Sequence, residues 1–214
     1  MLKRMLAIVI GLLIMSGTAS GANYPSASRQ RLGGIVDLLN KATKIDRSFA
    51  KGGKTIYKLP GGQLYYVSLL DLDSDGSRWA KQDATGQSGT SLRQPDGKAV
   101  DSDSVPFFVL PGSGFYRQFG IQLGDIAAII YKDRVEFAVF ADHGPKQKLG
   151  EGSIALHRSI GHETIRSGQF HDEAIDKDVI TIVFPKSGDG TPQTPAKIRA
   201  LGQKLFSELG GRFP

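Results

Sequence analysis

Most hydrophobic residues in this chain recur at the spacing of β-strands. Apolar runs rich in β-branched and aromatic residues predict strands at 55–59, 64–70, 105–111, 126–131, 134–140 and 178–184. Only Lys132 and Asp133 separate two of these runs, which predicts a hairpin with a two-residue turn. The pattern therefore indicates a β-rich protein.

Two segments have helical spacing instead. Apolar residues recur every three or four positions between 28 and 42, although each glycine of the pair at 33–34 weakens this helix by about 1 kcal/mol. Near the other end, Thr194 is suited to the N-cap and Pro195 to the first position of a helix that ends at Gly210. We expect one α+β domain with helices near both ends.

The first 22 residues have the pattern of a secretory signal peptide. Lys3 and Arg4 precede an apolar stretch, and small residues up to Ala22 follow it. The apolar stretch is shorter than the ~20 residues that a membrane span needs. We expect residues 1–22 to be removed, and residues 23–214 to form a single secreted domain, extracellular or periplasmic, without membrane attachment.

Composition excludes several kinds of site. The sequence has no cysteine, so disulfides, thiol nucleophiles and thiolate metal sites are absent. The net charge is +6, but no stripe of basic residues with interleaved aromatics appears, so we expect no nucleic-acid partner. The four histidines match no metal-ligand spacing. We therefore predict no metal site and no cofactor.

Two carboxylates stand out after the strongly apolar strand at 134–140. Asp142 and Glu151 lie nine positions apart among small residues, which leaves room for a bulky substrate. Hydrolysis of a glycosidic bond requires such a pair, one carboxyl to protonate the leaving oxygen and one to activate water or to attack. On these two residues alone, ordinary surface carboxylates are the alternative.

The segment 71–103 is acidic and rich in turn residues, and it has little apolar periodicity. Its seven aspartates against four basic residues could attract a cationic ligand, or they could simply be turn formers in a loop. The residues D-L-D-S-D-G at 71–76 match half of an EF-hand loop, but Gln82 replaces the twelfth-position Glu, which excludes an EF-hand and leaves another kind of calcium site open. In an extended segment Asp71, Asp73 and Asp75 would share one face, which could bind a cationic sugar.

Several blocks occur in a fixed order along the chain. They are D-x-D-x-D-G at 71–76, Asp83 with Gln87-Ser88 and Thr90-Ser91, V-P-F-F-V-L-P at 105–111, G-I-x-x-G-D-x-A at 120–127, F-A-D-H-G-P at 140–145, G-E-G-S-I-A-L at 150–156 and D-V-x-x-I-x-F at 178–184. Together they resemble the fungal-type chitosanases, glycoside hydrolase family 75. The resemblance covers residues 64–185, and the double block around Asp142 and Glu151 is its most specific part.

This resemblance implies a catalytic pair, and the acidic run and the aromatic residues suggest substrate ligands beside it. It places the pair at Asp142 and Glu151 of an inverting enzyme, and we assign Glu151 as the acid and Asp142 as the base. The candidate substrate-binding residues are Asp71, Asp73, Asp75, Trp79, Asp83 and His143. The chain departs from the family pattern in lacking a cysteine near D-x-D, in having His143 where threonine is common, and in having Gly152 where alanine is common.

The hairpin followed by Asp-x-Gly-Pro also looks like the core of a double-psi β-barrel. We therefore predict one mainly-β (α+β) domain with a six-stranded, double-psi-like barrel and flanking helices. The predicted protein is a secreted, endo-acting hydrolase of β-1,4 linkages in the cationic polysaccharide chitosan, and we expect a monomer. Two alternatives stay open: a peptidoglycan-active glycosidase or lytic transglycosylase, and a non-catalytic, expansin-like polysaccharide-binding protein.

Overall fold

The computed structural model describes residues 22–45, 49, 51–52 and 55–213. The predicted signal peptide therefore lies outside the described residues, apart from Ala22. Among the residues described, no helix combines the length and the apolar character that a membrane crossing requires.

The described chain forms twelve strands, four α-helices and two short 3₁₀ helices. The strands are β1 (Thr43–Ile45), β2 (Lys51–Gly52), β3 (Ile56–Lys58), β4 (Leu64–Asp73), β5 (Phe107–Pro111), β6 (Ile126–Tyr131), β7 (Arg134–Gly144), β8 (Lys148–Leu149), β9 (Glu151–Ser153), β10 (Ile165–Arg166), β11 (Gln169–Phe170) and β12 (Ile175–Phe184). The α-helices are α1 (Arg29–Leu32), α2 (Ile35–Leu39), α3 (Ile154–Ser159) and α4 (Pro195–Glu208), and the 3₁₀ helices are Ser26–Ser28 and Phe115–Phe119.

Six strands close into a barrel, in the order β4-β12-β6-β7-β5-β9 and back to β4. The pairs β5–β7 and β4–β9 are parallel, and the other four pairs of the ring are antiparallel. Strands β3 and β1 extend the sheet from β4. The predictions of a β-rich single domain and a six-stranded barrel core are confirmed.

Alternating apolar residues place two cores on the two faces of this sheet. On β6, Ile126, Ala128 and Ile130 belong to the core that includes residues of α1, α2 and α4, whereas Ala127 and Ile129 belong to the other. Side chains alternate between faces along a strand, and the helix-covered face is the outside of the closed barrel. The continuous apolar runs in the sequence therefore reflect strands that are buried on both faces.

The predicted hairpin and C-terminal helix are present. Lys132 has the positive φ of 54° that a tight two-residue turn demands, and β6 pairs with β7 directly across it. The Thr194 side chain accepts a hydrogen bond from the Lys197 amide, and Pro195 is the first residue of α4. The helix packs on the barrel through Phe206, which contacts the ring of Phe137.

The single helix predicted over 28–42 is wrong, because α1 and α2 are two short helices with Gly33 between them. Gly33 has φ 51°, and a Cβ there would lie 2.7 Å from the Gly210 carbonyl oxygen. Only glycine fits both the conformation and this close approach, so the helix is interrupted where Gly33 packs against Gly210.

The predicted loop at 71–103 begins later than expected. Asp71–Asp73 are the last residues of β4, and the following segment to 104 consists mainly of turns with one isolated bridge, Arg93 to Ala99. Leu92 and Val100 anchor the segment in the outer core, and the Leu92 amide donates to the Ala141 carbonyl at 2.8 Å. The acidic loop is thereby fixed against β7, next to Asp142.

Candidate active site

A cavity of about 300 Å³ lies where β4, β7 and β9 meet the acidic loop. Most of its lining side chains are polar, and five of them carry carboxyl groups. The lining residues are Leu72, Asp73, Asp75, Asp83, Thr85, Gln87, Asp142, His143, Gly144, Pro145, Lys148 and Glu151. The two predicted catalytic carboxylates therefore share one cavity with three of the aspartates predicted to bind substrate.

Strand β5 sets the separation of Asp142 and Glu151. Val109 pairs with Asp142 on one side and with Glu151 on the other, so all three residues form one row across β7, β5 and β9. Residues paired in this way point to the same face of a sheet. Since neighbouring strands lie about 4.8 Å apart, the Cα atoms of Asp142 and Glu151 are separated by about 10 Å.

A bulge in β7 brings Asp142 into this row. Phe108 pairs with Phe140, but Val109 pairs with Asp142, so Ala141 is an extra residue in the ladder. A one-residue shift in register moves a side chain to the opposite face. Without the bulge, Ala141 would stand opposite Val109 and Asp142 would point away from Glu151.

The hydrogen bonds of Asp142 converge on a single carboxylate oxygen. Its Oδ1 accepts from the Ser91 amide at 3.0 Å, the Ser91 hydroxyl at 2.6 Å and the His143 amide at 2.7 Å. Three donors on one oxygen fix the carboxylate plane and leave Oδ2 to face water or substrate. The side chain is buried, with 7% of its surface exposed.

Glu151 interacts with a cation instead. Its Oε1 accepts from the Lys148 ammonium at 2.9 Å, and the side chain is 14% exposed. Burial raises the pKa of Glu151, and the adjacent Lys148 ammonium opposes part of that rise. A carboxyl with a raised pKa suits the role of general acid.

Asp73 and Asp75 form an acidic group with Asp142. One carboxylate oxygen from each lies within 4.8 Å of the others, close enough to hold a cation. Burial raises the pKa of Asp75 from 3.8 to about 7, and burial with the nearby Asp75 carboxylate raises the pKa of Asp73 well above its usual range. Like charges at this distance cannot all ionise without cost, so Asp73 and Asp75 retain protons at a pH where isolated carboxyls have lost them.

Two other predicted binding residues, Asp83 and Asp71, have neighbours that shape the site. Asp83 lines the cavity, but its oxygens accept from Ser74 and Thr85, so it organises the acidic loop. Asp71 stands opposite Glu151 in the β4–β9 pair and binds Lys148 at 2.6 Å; it is not one of the cavity-lining residues.

His143 lies in the cavity wall beside Asp142. Its Nδ1 is 2.9 Å from the Ser91 hydroxyl, and its ring stacks on Tyr116. Burial lowers the pKa of His143, which favours the neutral ring at neutral pH. His143, Ser91 and Asp142 thus form a continuous hydrogen-bonded chain along one side of the cavity.

The structure does not bring Trp79 to the cavity. Its ring is 7% exposed, stacks on Phe170 and donates from Nε1 to Asp103 at 3.0 Å. Together with Leu72 and Ile154 it forms a small separate core. A buried aromatic in the loop stabilises the fold and does not present a sugar-stacking surface.

Sequence reasoning did not identify two residues of the site. Lys148 lines the cavity and binds both Asp71 and Glu151, and Ser91 orients Asp142. Ser91 occurs in a block that the family resemblance includes, whereas a lysine two residues before a glycine carries no signal by itself. The contacts of Ser91 with Asp142 and of Lys148 with Asp71 join segments that are distant in the sequence.

The arrangement fits acid–base hydrolysis. It supplies one carboxylate fixed by hydrogen bonds and one carboxyl with a raised pKa, across a cavity about two strand spacings wide. Inverting glycosidases need roughly 6.5–9.5 Å between their carboxyl groups, so that a water molecule fits between base and sugar. Two side chains extending from Cα atoms about 10 Å apart can meet that requirement.

Comparison with known proteins agrees with this geometry. No curated protein sequence matches the chain. The sequence profile of the fungal chitosanases of glycosyl hydrolase group 75 matches residues 70–210, which include the end of β4, the acidic loop, both catalytic candidates and α4. The match spans more than half of the 214 residues. The chain therefore belongs to glycosyl hydrolase group 75, the fungal chitosanase family, and is a chitosanase-like glycoside hydrolase.

Proposed function

We propose that this protein is an exported, endo-acting chitosanase that hydrolyses β-1,4 linkages with inversion. Glu151 protonates the leaving oxygen, and Asp142 activates a water molecule on the opposite face of the sugar. The observation that carries this proposal is the row Asp142–Val109–Glu151, which separates the carboxylates by one intervening strand. Adjacent strands would bring them too close for a water molecule to fit.

The role of each carboxyl follows from its surroundings. Asp142 has an anchored Oδ1 and an available Oδ2, as a base needs in order to hold water in one orientation. Glu151 is the partner whose pKa burial raises, so it retains a proton to higher pH.

The charge of the cavity favours a cationic substrate. Five carboxyl groups line it, against the single ammonium of Lys148 and a histidine with a lowered pKa, and a bound cation would favour the ionised form of the carboxyls whose pKa is raised. The protonated amines of glucosamine would be attracted to such a surface, whereas the N-acetylated sugars of peptidoglycan would gain nothing from it. Export is supported by the pattern of residues 1–22.

The test uses the mature protein, Glu151→Gln and Asp142→Asn, assayed for reducing ends released from chitosan. Each variant should lose at least about a thousandfold in kcat, because each lacks one proton-transfer group. Asp176→Asn, an exposed carboxylate on β12, is the control and should retain full activity. Full activity in either active-site variant would overturn the proposal.

Stereochemistry and product structure give independent checks. Proton NMR of the first products should show the α-anomer from a β-linkage. Products with anhydro ends would indicate a lytic transglycosylase, and polymer binding without new reducing ends would indicate a binding module.

A further inference from the structure

We propose that Lys148 is a positioning residue for Glu151, and that it holds this carboxylate in the cavity through a bridge anchored on Asp71. The inference rests on the proposed function and adds a residue that no motif indicated. Lys148 touches no reacting atom in the proposed mechanism, so its effect acts through Glu151.

The contacts of Lys148 form a closed bridge between two strands. The ammonium lies 2.6 Å from Asp71 Oδ2 and 2.9 Å from Glu151 Oε1. Asp71 and Glu151 stand opposite each other on β4 and β9. One ammonium therefore joins two carboxylates that lie on neighbouring strands of the barrel and would otherwise repel each other.

The lysine is held in place along its length. Its side chain is only 15% exposed, and its backbone forms β8, which pairs with β2. The turn before it is closed by the Lys148 amide, which donates to the Pro145 carbonyl at 3.2 Å. An exposed lysine samples many rotamers, whereas this one has lost that freedom, so it can fix its partner in one orientation.

The pKa shifts of Lys148 and Glu151 are consistent with this bridge. Burial alone would lower the pKa of Lys148, but the hydrogen bonds and charges of Asp71 and Glu151 outweigh burial and raise it. The lysine therefore keeps its charge, and that charge limits the rise in the pKa of Glu151. Four carboxyls also act on Glu151, namely Asp71, Asp73, Asp75 and Asp142.

The position of the Lys148 bridge also makes the two sides of the cavity differ in charge. Lys148 provides a cation beside Glu151, whereas the group of Asp73, Asp75 and Asp142 is acidic. Removing Lys148 would leave Glu151 and Asp71 with no cation between them, so Glu151 would both reorient and bind its proton more tightly.

The experiment compares pH profiles of kcat/KM for wild type, Lys148→Met and Lys148→Arg on chitosan oligomers. In Lys148→Met, the limb that reports Glu151 should move to higher pH by about one unit, and kcat should fall about tenfold or more. Lys148→Arg keeps the charge and should return the limb toward its wild-type position. Asp71→Asn, which removes the anchor but leaves the lysine, should give an intermediate loss.

A matched control is Lys146→Met, since Lys146 is exposed and lies two residues away. It should leave the profile unchanged. A wild-type pH profile in Lys148→Met, with kcat retained, would overturn the inference. If Lys148→Met fails to fold, kcat of Asp71→Asn decides, because Asp71 anchors the lysine: a wild-type kcat overturns the inference.

The outcome separates this inference from the proposed function. If Glu151→Gln is inactive while Lys148→Met shifts nothing, only the role of Lys148 is wrong. If Glu151→Gln keeps its activity, the catalytic assignment itself is wrong. A shift in the basic limb supports Glu151 as acid, and a shift in the acidic limb supports the bridge but makes Glu151 the base.

Discussion

Ionisation of Asp75 should lower the stability of the folded protein as the pH rises, and Asp75→Asn should remove this pH-dependent loss of stability. Burial raises the pKa of Asp75 from 3.8 to about 7 in the folded protein. Between these two values the unfolded chain has released this proton and the folded chain retains it. Stability therefore falls as the pH rises from about 4 to about 7, and stays at the lower level above that.

The size of the effect follows from the shift. At about 1.36 kcal/mol per pKa unit, a rise from 3.8 to about 7 corresponds to about 4 kcal/mol. Asp75 lines a cavity that is open to solvent, and screening by water reduces the expected effect to about 2 kcal/mol. For a domain of this size, that difference raises Tm by about 4–8 °C.

Asparagine is a close substitute for the protonated carboxyl. Its side-chain oxygen can accept the Gln87 amide hydrogen bond that Asp75 Oδ1 now accepts at 2.5 Å. The added NH₂ group can donate toward the neighbouring Asp142 carboxylate. The substitution should therefore preserve the local structure and remove only the ionisation.

Thermal unfolding of wild type and Asp75→Asn would be measured by calorimetry at pH 4 and pH 8. We expect Asp75→Asn to match wild type at pH 4 and to exceed it by about 4–8 °C at pH 8. Asp176→Asn, in which an exposed carboxylate is replaced, provides the control and should show no such pH-dependent gain. A Tm difference that is the same at both pH values would refute the reasoning.

Three further substitutions test the site and its surroundings. Ser91→Ala removes the 2.6 Å hydroxyl bond to Asp142, so kcat should fall about tenfold, as the loss of one hydrogen bond to a charged group implies, with little change in KM. Gly144→Ala would place a Cβ 2.5 Å from Glu151 Oε2, and the displaced carboxyl should lower kcat about a hundredfold. Trp79→Leu should leave kcat/KM nearly unchanged and lower the free energy of unfolding by about 2–3 kcal/mol, because this ring packs in a small hydrophobic core and does not contact the substrate.

Each of these has a contrary outcome. An unchanged kcat in Ser91→Ala, measured by steady-state kinetics, would contradict the role of Ser91 in orienting Asp142. An unchanged kcat in Gly144→Ala would contradict the role of the close approach between Gly144 and Glu151. Gly61→Ala is the control for Gly144→Ala, since its added Cβ would meet only the flexible Gln63 side chain. A raised KM in Trp79→Leu, without loss of stability in urea titration, would restore Trp79 as a substrate contact.

The strands that pair locally could be predicted from the sequence. The hairpin at Lys132-Asp133 and the cap at Thr194 depend on residues within a few positions of each other, and both occur as expected. The failure at Gly33 is different, because the approach of Gly210 that requires a glycine there comes from the far end of the chain. The spacing of residues along the sequence does not predict such a long-range contact.

In the candidate site, too, features set by nearby residues could be predicted from the sequence, and features set by long-range contacts could not. The double block identified Asp142 and Glu151, but the bulge at Ala141 that turns Asp142 toward Glu151 is a property of the β5–β7 pair. Alternation predicted one shared face for Asp71, Asp73 and Asp75. Asp73 and Asp75 both line the cavity, but Asp75 lies in a turn after β4, and Asp71 is directed to Lys148. Trp79 was misplaced because an aromatic residue in a polar loop gives no sign of whether a second ring, here Phe170, will cover it.

The position of Val109 between the two carboxylates separates what this fold can vary from what it cannot. The separation of the Asp142 and Glu151 Cα atoms comes in whole strand spacings, so no change in loop length can halve it. A retaining site, whose carboxyls lie about 5 Å apart, would have to be reached through side-chain length and orientation, or through the loss of a strand from a closed barrel. The acidic loop is under no such constraint. On the proposed inverting mechanism, ordinary substitutions in the acidic loop can change the preferred sugar, whereas the anomeric configuration of the product depends on the spacing of the barrel strands.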